Sequence, residues 1–288
     1  MTIILVLLCI FTSSIQSVLR RGYDDRVRGG GVAFFGAVQS FVSLLVFVAA
    51  GAVRGYDFPS ESAMYLYSFG FAAFYGTSIS ATQAAFAHGP YGLTSLITSY
   101  APVIPAVYGI FVLGEPVNLT KAAGLACFIV SLPLMRSAKA DEKDSGRPAN
   151  RKWLVFVIVS LVCNGFCSVT QKAEQNSLGG AFANEFMIVA LSLVTIGLSA
   201  AAVVREKDRI SAHAISFPIL CGAANGATNK LVLIVIASAA ASVFFPMISA
   251  GQLVTSVVYS IVIYREKLSV RQYIAAALGI ASLVLLSI

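Results

Sequence analysis

Long apolar runs separated by short polar breaks make up the whole chain. Stretches able to cross about 30 Å of hydrocarbon as helix fall at roughly 2–19, 32–53, 63–86, 92–113 and 119–135, then at roughly 153–171, 182–204, 216–237, 242–264 and 271–287. Apolarity of that length predicts membrane-spanning helices, because in lipid every backbone N–H and C=O must be satisfied within its own segment. The breaks carry helix punctuation. Asn118 is an N-cap for the fifth run, and Ser269-Val-Arg-Gln272 is a capping box opening the tenth. The first run has no basic residue ahead of it and no small-residue cleavage site before Arg20-Arg21, so a retained helix is expected rather than a signal peptide.

The ten runs are one pattern written twice. Displaced by 151 residues, Ser17-Val18 lies over Ser168-Val169, Thr77 over Thr228, Glu115 over Glu266 and Ser131-Leu132 over Ser282-Leu283, without a gap. The expected organisation is therefore a five-helix repeat over 1–137, a polar linker over 138–151 and a second five-helix repeat over 152–288. Five is odd, so the second copy enters the bilayer from the opposite side, as in the inverted repeats of alternating-access transporters. The fold class expected is all-α integral membrane, ten transmembrane helices as two inverted five-helix repeats.

Composition agrees: 58% hydrophobic residues, 11% charged residues and a mean hydropathy of +0.84 exceed what a soluble core needs. The net charge of +7 reports topology, not nucleic acid, because the basic residues are scattered over membrane-flanking loops. One side holds 16 Lys and Arg: Arg20, Arg21, Arg26 and Arg28, six around the linker, Arg205, Lys207 and Arg209, and Arg265, Lys267 and Arg271. The other holds Arg54, Lys121 and Lys172. The positive-inside rule makes the first side cytoplasmic and puts both chain ends outside.

All five cysteines fall inside the apolar runs and their number is odd, which argues against a disulfide framework or a zinc site. His88 and His213 lie in loops without a partner motif, and there is no P-loop, so neither enzymatic chemistry nor a cofactor is expected.

Candidate chemistry rests on polar side chains at bilayer depth, which are costly there and mark cavities or helix contacts. Ser13, Gln16, Ser17 and Arg20 share a face of the first helix; Ser160, Asn164, Ser168 and Gln171 share one of the sixth. Ser249, Gln252, Ser256 and Tyr259 form a third stripe, and Thr94, Thr98 and Tyr108 lie on the fourth run with Pro102 and Pro105. The substrate-binding candidates are Gln16, Asn164, Ser168, Asn225, Asn229, Lys230, Gln252 and Tyr259. Interhelical hydrogen bonding is the alternative for each, and Gly222-Ala-Ala-Asn-Gly226 would permit close helix approach. Lys230 lies well inside the eighth run, with Glu185 a few residues into the seventh. Either the two form an ion pair, which could also serve as a gate, or Lys230 is the counter-charge for a carboxylate or phosphate on the substrate. Glu185 and Lys230 are also the candidates for ion coupling.

Leu113-Gly-Glu-Pro-Val-Asn, Tyr264-Arg-Glu-Lys-Leu-Ser and the small-residue helices after each resemble the EamA-type domains of the drug/metabolite transporter superfamily, over essentially the whole chain. Asn184-Glu-Phe-Met-Ile and Phe245-Pro-Met-Ile-Ser-Ala-Gly resemble a bacterial subgroup. The resemblance implies a ten-helix secondary transporter of the inner membrane, often an exporter of amino acids, other metabolites or drugs, with its site between the repeats. Some relatives are drawn with both termini in the cytoplasm, opposite to the charge distribution here. The partners expected are the lipid bilayer and a small-molecule substrate, anionic if Lys230 meets it; nucleic acid is not among them, and the chain is a monomer or homodimer. The rival readings are a lipid or lipid-linked sugar flippase and, from another class, a non-transporting membrane scaffold or receptor.

Overall fold

The computed structural model describes residues 2–27, 31–60, 62–88, 97–98, 100–134, 151–206, 214–262 and 270–287. Among these are ten α-helices: α1 (Thr2–Val27), α2 (Val32–Arg54), α3 (Ser62–His88), α4 (Val103–Phe111), α5 (Leu119–Leu134), α6 (Arg151–Leu178), α7 (Ala183–Arg205), α8 (Ser216–Ile236), α9 (Ala241–Val262) and α10 (Val270–Ser287). No strand occurs among the described residues. Helices α2, α6, α7 and α8 are each long and apolar enough to cross a membrane, and shorter apolar helices accompany them. This is an all-α integral membrane fold.

Two helices outrun their apolar segments. Helix α1 continues past residue 19 to Val27, because its polar end finds partners: Arg20 donates from Nη2 to Gln39 Oε1 at 3.0 Å, and the Tyr23 hydroxyl donates to Gly31 O at 3.0 Å. Helix α6 runs past residue 171 to Leu178. It carries Lys172, expected in a loop on the weakly basic side, as a buried residue whose ammonium donates to Ile236 O at 2.8 Å. A hydropathy pattern stops at a charge; a helix does not when that charge is satisfied. Only Val103–Phe111 of the fourth run is a described helix.

The chain divides into two compact units, neither of which is one half of the sequence. The first, Met1–Ser80 with Thr170–Ser238, holds α1, α2, most of α3, the end of α6, α7 and α8. Here α2 packs on α7 and α8, and α1 packs on α8. The α2–α8 crossing depends on Gly222 and Gly226. A Cβ at Gly222 would lie 2.6 Å from Gln39 O, and one at Gly226 2.9 Å from Val46 Cβ, so only glycine admits this approach. Ala37, Val194 and Leu198 form an apolar cluster with Ala72, Tyr75 and Ile79. Glu206 caps α2: Oε1 accepts the Val32 and Ala33 N–H groups and Oε2 that of Phe34, each at 3.0 Å. Three of the four orphan donors at that helix start are thereby satisfied by one carboxylate.

The second unit, Ala81–Val169 with Ala239–Ile288, holds the rest. Helix α5 packs on α10, and α9 packs on α10 and α4. Glu115 is fixed here as a structural residue: its Oε1 accepts the Ala241 N–H at 2.6 Å and its Oε2 the Ser242 N–H at 2.8 Å, capping α9. Asn118 caps α5 as expected, accepting the Lys121 N–H at 2.9 Å. Glu266 and the capping box at Ser269 lie outside the described residues, as does nearly all of the linker.

Candidate functional site

In the first unit, polar side chains from α1, α2, α3, α6 and α8 join in one hydrogen-bonded network. Gln16 donates from Nε2 to Thr228 Oγ1 at 2.9 Å, and its Oε1 accepts from Asn225 Nδ2 at 3.0 Å. Thr228 in turn donates to Thr12 Oγ1 at 2.8 Å. Asn225 Oδ1 accepts from Ser43 Oγ and from Asn229 Nδ2, both at 3.1 Å, and Asn229 Oδ1 accepts from Gln171 Nε2 at 3.0 Å. Next to it, Gln39 accepts from Arg20 and Cys221 and donates to the Tyr75 hydroxyl at 3.1 Å. The repeated i, i+4 spacing of Thr12, Gln16 and Arg20, and of Cys221, Asn225 and Asn229, puts each set on one helix face. Amides dominate the network because each can donate and accept at once, so that none is orphaned in a medium without water.

Lys230 follows Asn229 but belongs to a separate place. It lies six residues before the end of α8, about 9 Å along the axis. Its ammonium donates to Asn184 Oδ1 at 2.7 Å and stands 5.3 Å from the centre of the Phe47 ring. The Asn184 amide is itself anchored by donating to Phe47 O at 3.2 Å. Of the two alternatives for Lys230, an ion pair with Glu185 does not occur among the described residues: the ammonium contacts the residue before Glu185. Buried Glu185 accepts the Asp57 N–H at 3.3 Å through Oε1. Adjacent helical residues point about 100° apart, so Lys230 can reach one of them and miss the other.

These groups wall a cavity of about 390 Å³, formed by the end of α2, the α6–α7 turn, the start of α7 and the last third of α8. Its polar lining is Arg54, Asp57, Gln175, Asn184, Glu185 and Lys230. Gly179 and Gly180, with φ of 61° and 74°, let the chain reverse into α7 along the wall. Behind Gln175 lies Glu174, fully buried, whose Oε2 accepts from Gln175 Nε2 at 2.9 Å and whose Oε1 has no partner among the described residues.

The structure thus brings together Gln16, Asn225 and Asn229 in the network, and Glu185 and Lys230 at the cavity. Asn164, Ser168 and Gln252 lie in the second unit, where Asn164 is exposed. The side chain of Tyr259 lies outside the described residues. Sequence reasoning missed Gln39, Ser43, Asn184 and Glu174. A Gln within the apolar α2 was a readable signal; the partner of Lys230 was not.

Apolar helices with polar side chains gathered between them are the architecture of an integral membrane protein. Residues 1–137 match the model of the EamA-like transporter family, part of the drug/metabolite transporter superfamily, so this part of the chain is similar to membrane transporters of the drug/metabolite type. No curated protein matches the chain. One solved crystal structure superposes with a TM-score of 0.80 at 14% identity, covering 100% of this chain and 98% of the other, a likeness of fold alone.

Proposed function

We propose that this protein is a secondary transporter of the bacterial inner membrane that exports a small metabolite, amino acid or drug-like compound by alternating access between its repeats, with Lys230 drawing in an anionic group of the substrate. The observation that carries the reading is the company Lys230 keeps. A lysine placed for structure at that depth gains most from a carboxylate partner; this one is held by a neutral amide. Among the described residues it uses one of its three N–H donors and forms no ion pair, and it lines a cavity. Gln16, Asn225 and Asn229 supply a polar interior on the same helices α1 and α8.

The experiment compares efflux and uptake across the metabolome in cells overproducing and lacking the chain, then repeats it with Lys230→Met. The expected result is a solute whose export needs the chain and fails in the variant, with the variant protein present in the membrane at normal level. Unchanged export by Lys230→Met would remove Lys230 from the site.

A further inference from the structure

The cavity at the start of α7 carries two cations, Arg54 and Lys230, and two anions, Asp57 and Glu185, and among the described residues none of the four is ion-paired with another. Lys230 is tied to the Asn184 amide, and Glu185 receives only the backbone N–H of Asp57, leaving its Oε2 without a hydrogen bond. The side chains of Arg54 and Asp57 are exposed and make no hydrogen bond with the described residues. Opposite charges around a shared space in a low-dielectric setting gain by closing onto one another. Lys230 and Glu185 are held apart on the interior of α8 and the first turn of α7, while Arg54 and Asp57 share the exposed last turn and exit of α2.

From this arrangement we infer that the cavity binds a zwitterionic group, one in which a carboxylate or phosphate lies a few bonds from a primary ammonium. The formal charge of the four lining groups sums to zero. A purely anionic ligand would be desolvated beside Glu185 and Asp57, and a purely cationic one beside Lys230 and Arg54; like-charge contact of this kind rejects a ligand. A ligand carrying both charges meets each pair with its complement, the anionic end at Lys230 and Arg54 and the ammonium at Glu185 and Asp57. The volume of about 390 Å³ admits such a group with a side chain or tail attached. Two sources share this chemistry: a free amino acid, and the phosphoethanolamine headgroup of a membrane lipid. The inference deepens the transport reading by naming the charge pattern of the ligand, and it rests on that reading only for the ligand's being carried onward.

The test measures binding apart from flux. The purified full chain, in detergent, is titrated with a panel of α-amino acids and O-phosphoethanolamine, and separately placed in lipid nanodiscs of phosphatidylethanolamine or of phosphatidylglycerol alone; thermal stabilisation is read throughout. The expected result is stabilisation by at least one zwitterion, absent with its deaminated and decarboxylated analogues. Lys230→Met and Glu185→Gln should each weaken binding by about tenfold or more. Arg54→Gln and Asp57→Asn, at exposed positions, should weaken it without disturbing the fold. Stabilisation by free amino acids identifies a soluble ligand, and stabilisation by phosphatidylethanolamine nanodiscs alone identifies a lipid. Equal binding of a singly charged analogue, or no response to any zwitterion in either format, overturns the inference. Zwitterion binding without flux would fault the transport reading instead.

Discussion

Replacing Gly222 by alanine places a methyl group against the backbone of α2, and its cost can be worked out from the crossing. The new Cβ would stand 2.6 Å from Gln39 O and 2.7 Å from Val42 Cβ, where ordinary contact begins at 3.4 Å. Backbone atoms cannot swing aside as a side-chain tip can, so α8 must retreat from α2 by about 0.8 Å, an overpacking change worth about 1–3 kcal/mol. The retreat also stretches the bond from Ser43 Oγ to Gly222 O, now 2.8 Å, which contributes about 0.6 kcal/mol in a membrane setting. Alanine's better helix propensity returns about 1 kcal/mol. The net loss is about 0.6–2.6 kcal/mol, at its middle roughly a 15-fold shift toward the unfolded form. Reversible unfolding in mixed micelles followed by circular dichroism measures it. Gly197→Ala on α7 is the control, because nothing lies within 4 Å of a Cβ there, and it should be neutral or slightly stabilising. If the two variants unfold alike, the close α2–α8 crossing is not what holds these helices.

Two predictions concern the rest of the molecule. Glu206→Ala strips the acceptor from three N–H groups at the start of α2 and should cost about 1–2 kcal/mol; an unchanged thermal midpoint would mean that other groups satisfy those donors. Reporter fusions at residue 288 and within 140–148 test the charge-derived topology, with an extracytoplasmic C-terminus and a cytoplasmic linker expected; the opposite pattern would show that the 16 to 3 distribution of Lys and Arg does not orient the chain.

What the sequence by itself determined is the number of helices and the medium they occupy, because the bilayer leaves apolar runs of that length no other means of satisfying their backbone. The cap at Asn118 was legible for a similar reason: a side chain bonding an amide three residues on is local chemistry. The face shared by Gln16 and Arg20 was legible too, since helical spacing alone sets it. Which neighbours those faces meet was decided only by tertiary structure. Spacing placed Gln16 on a stripe but could not say that Asn225 and Thr228 lie across from it, nor that Asn164, on the matching stripe of α6, belongs to the other compact unit. Charge alone suggested Glu185 as the partner of Lys230, while the rotation and rise of α7 beside α8 offered the ammonium the amide of Asn184, one residue earlier. Helix α6 reaches Leu178 because Lys172 finds Ile236 O, a carbonyl 64 residues along the chain. Hydropathy records what a residue prefers, and only the packed helices decide whether a partner is there to override it.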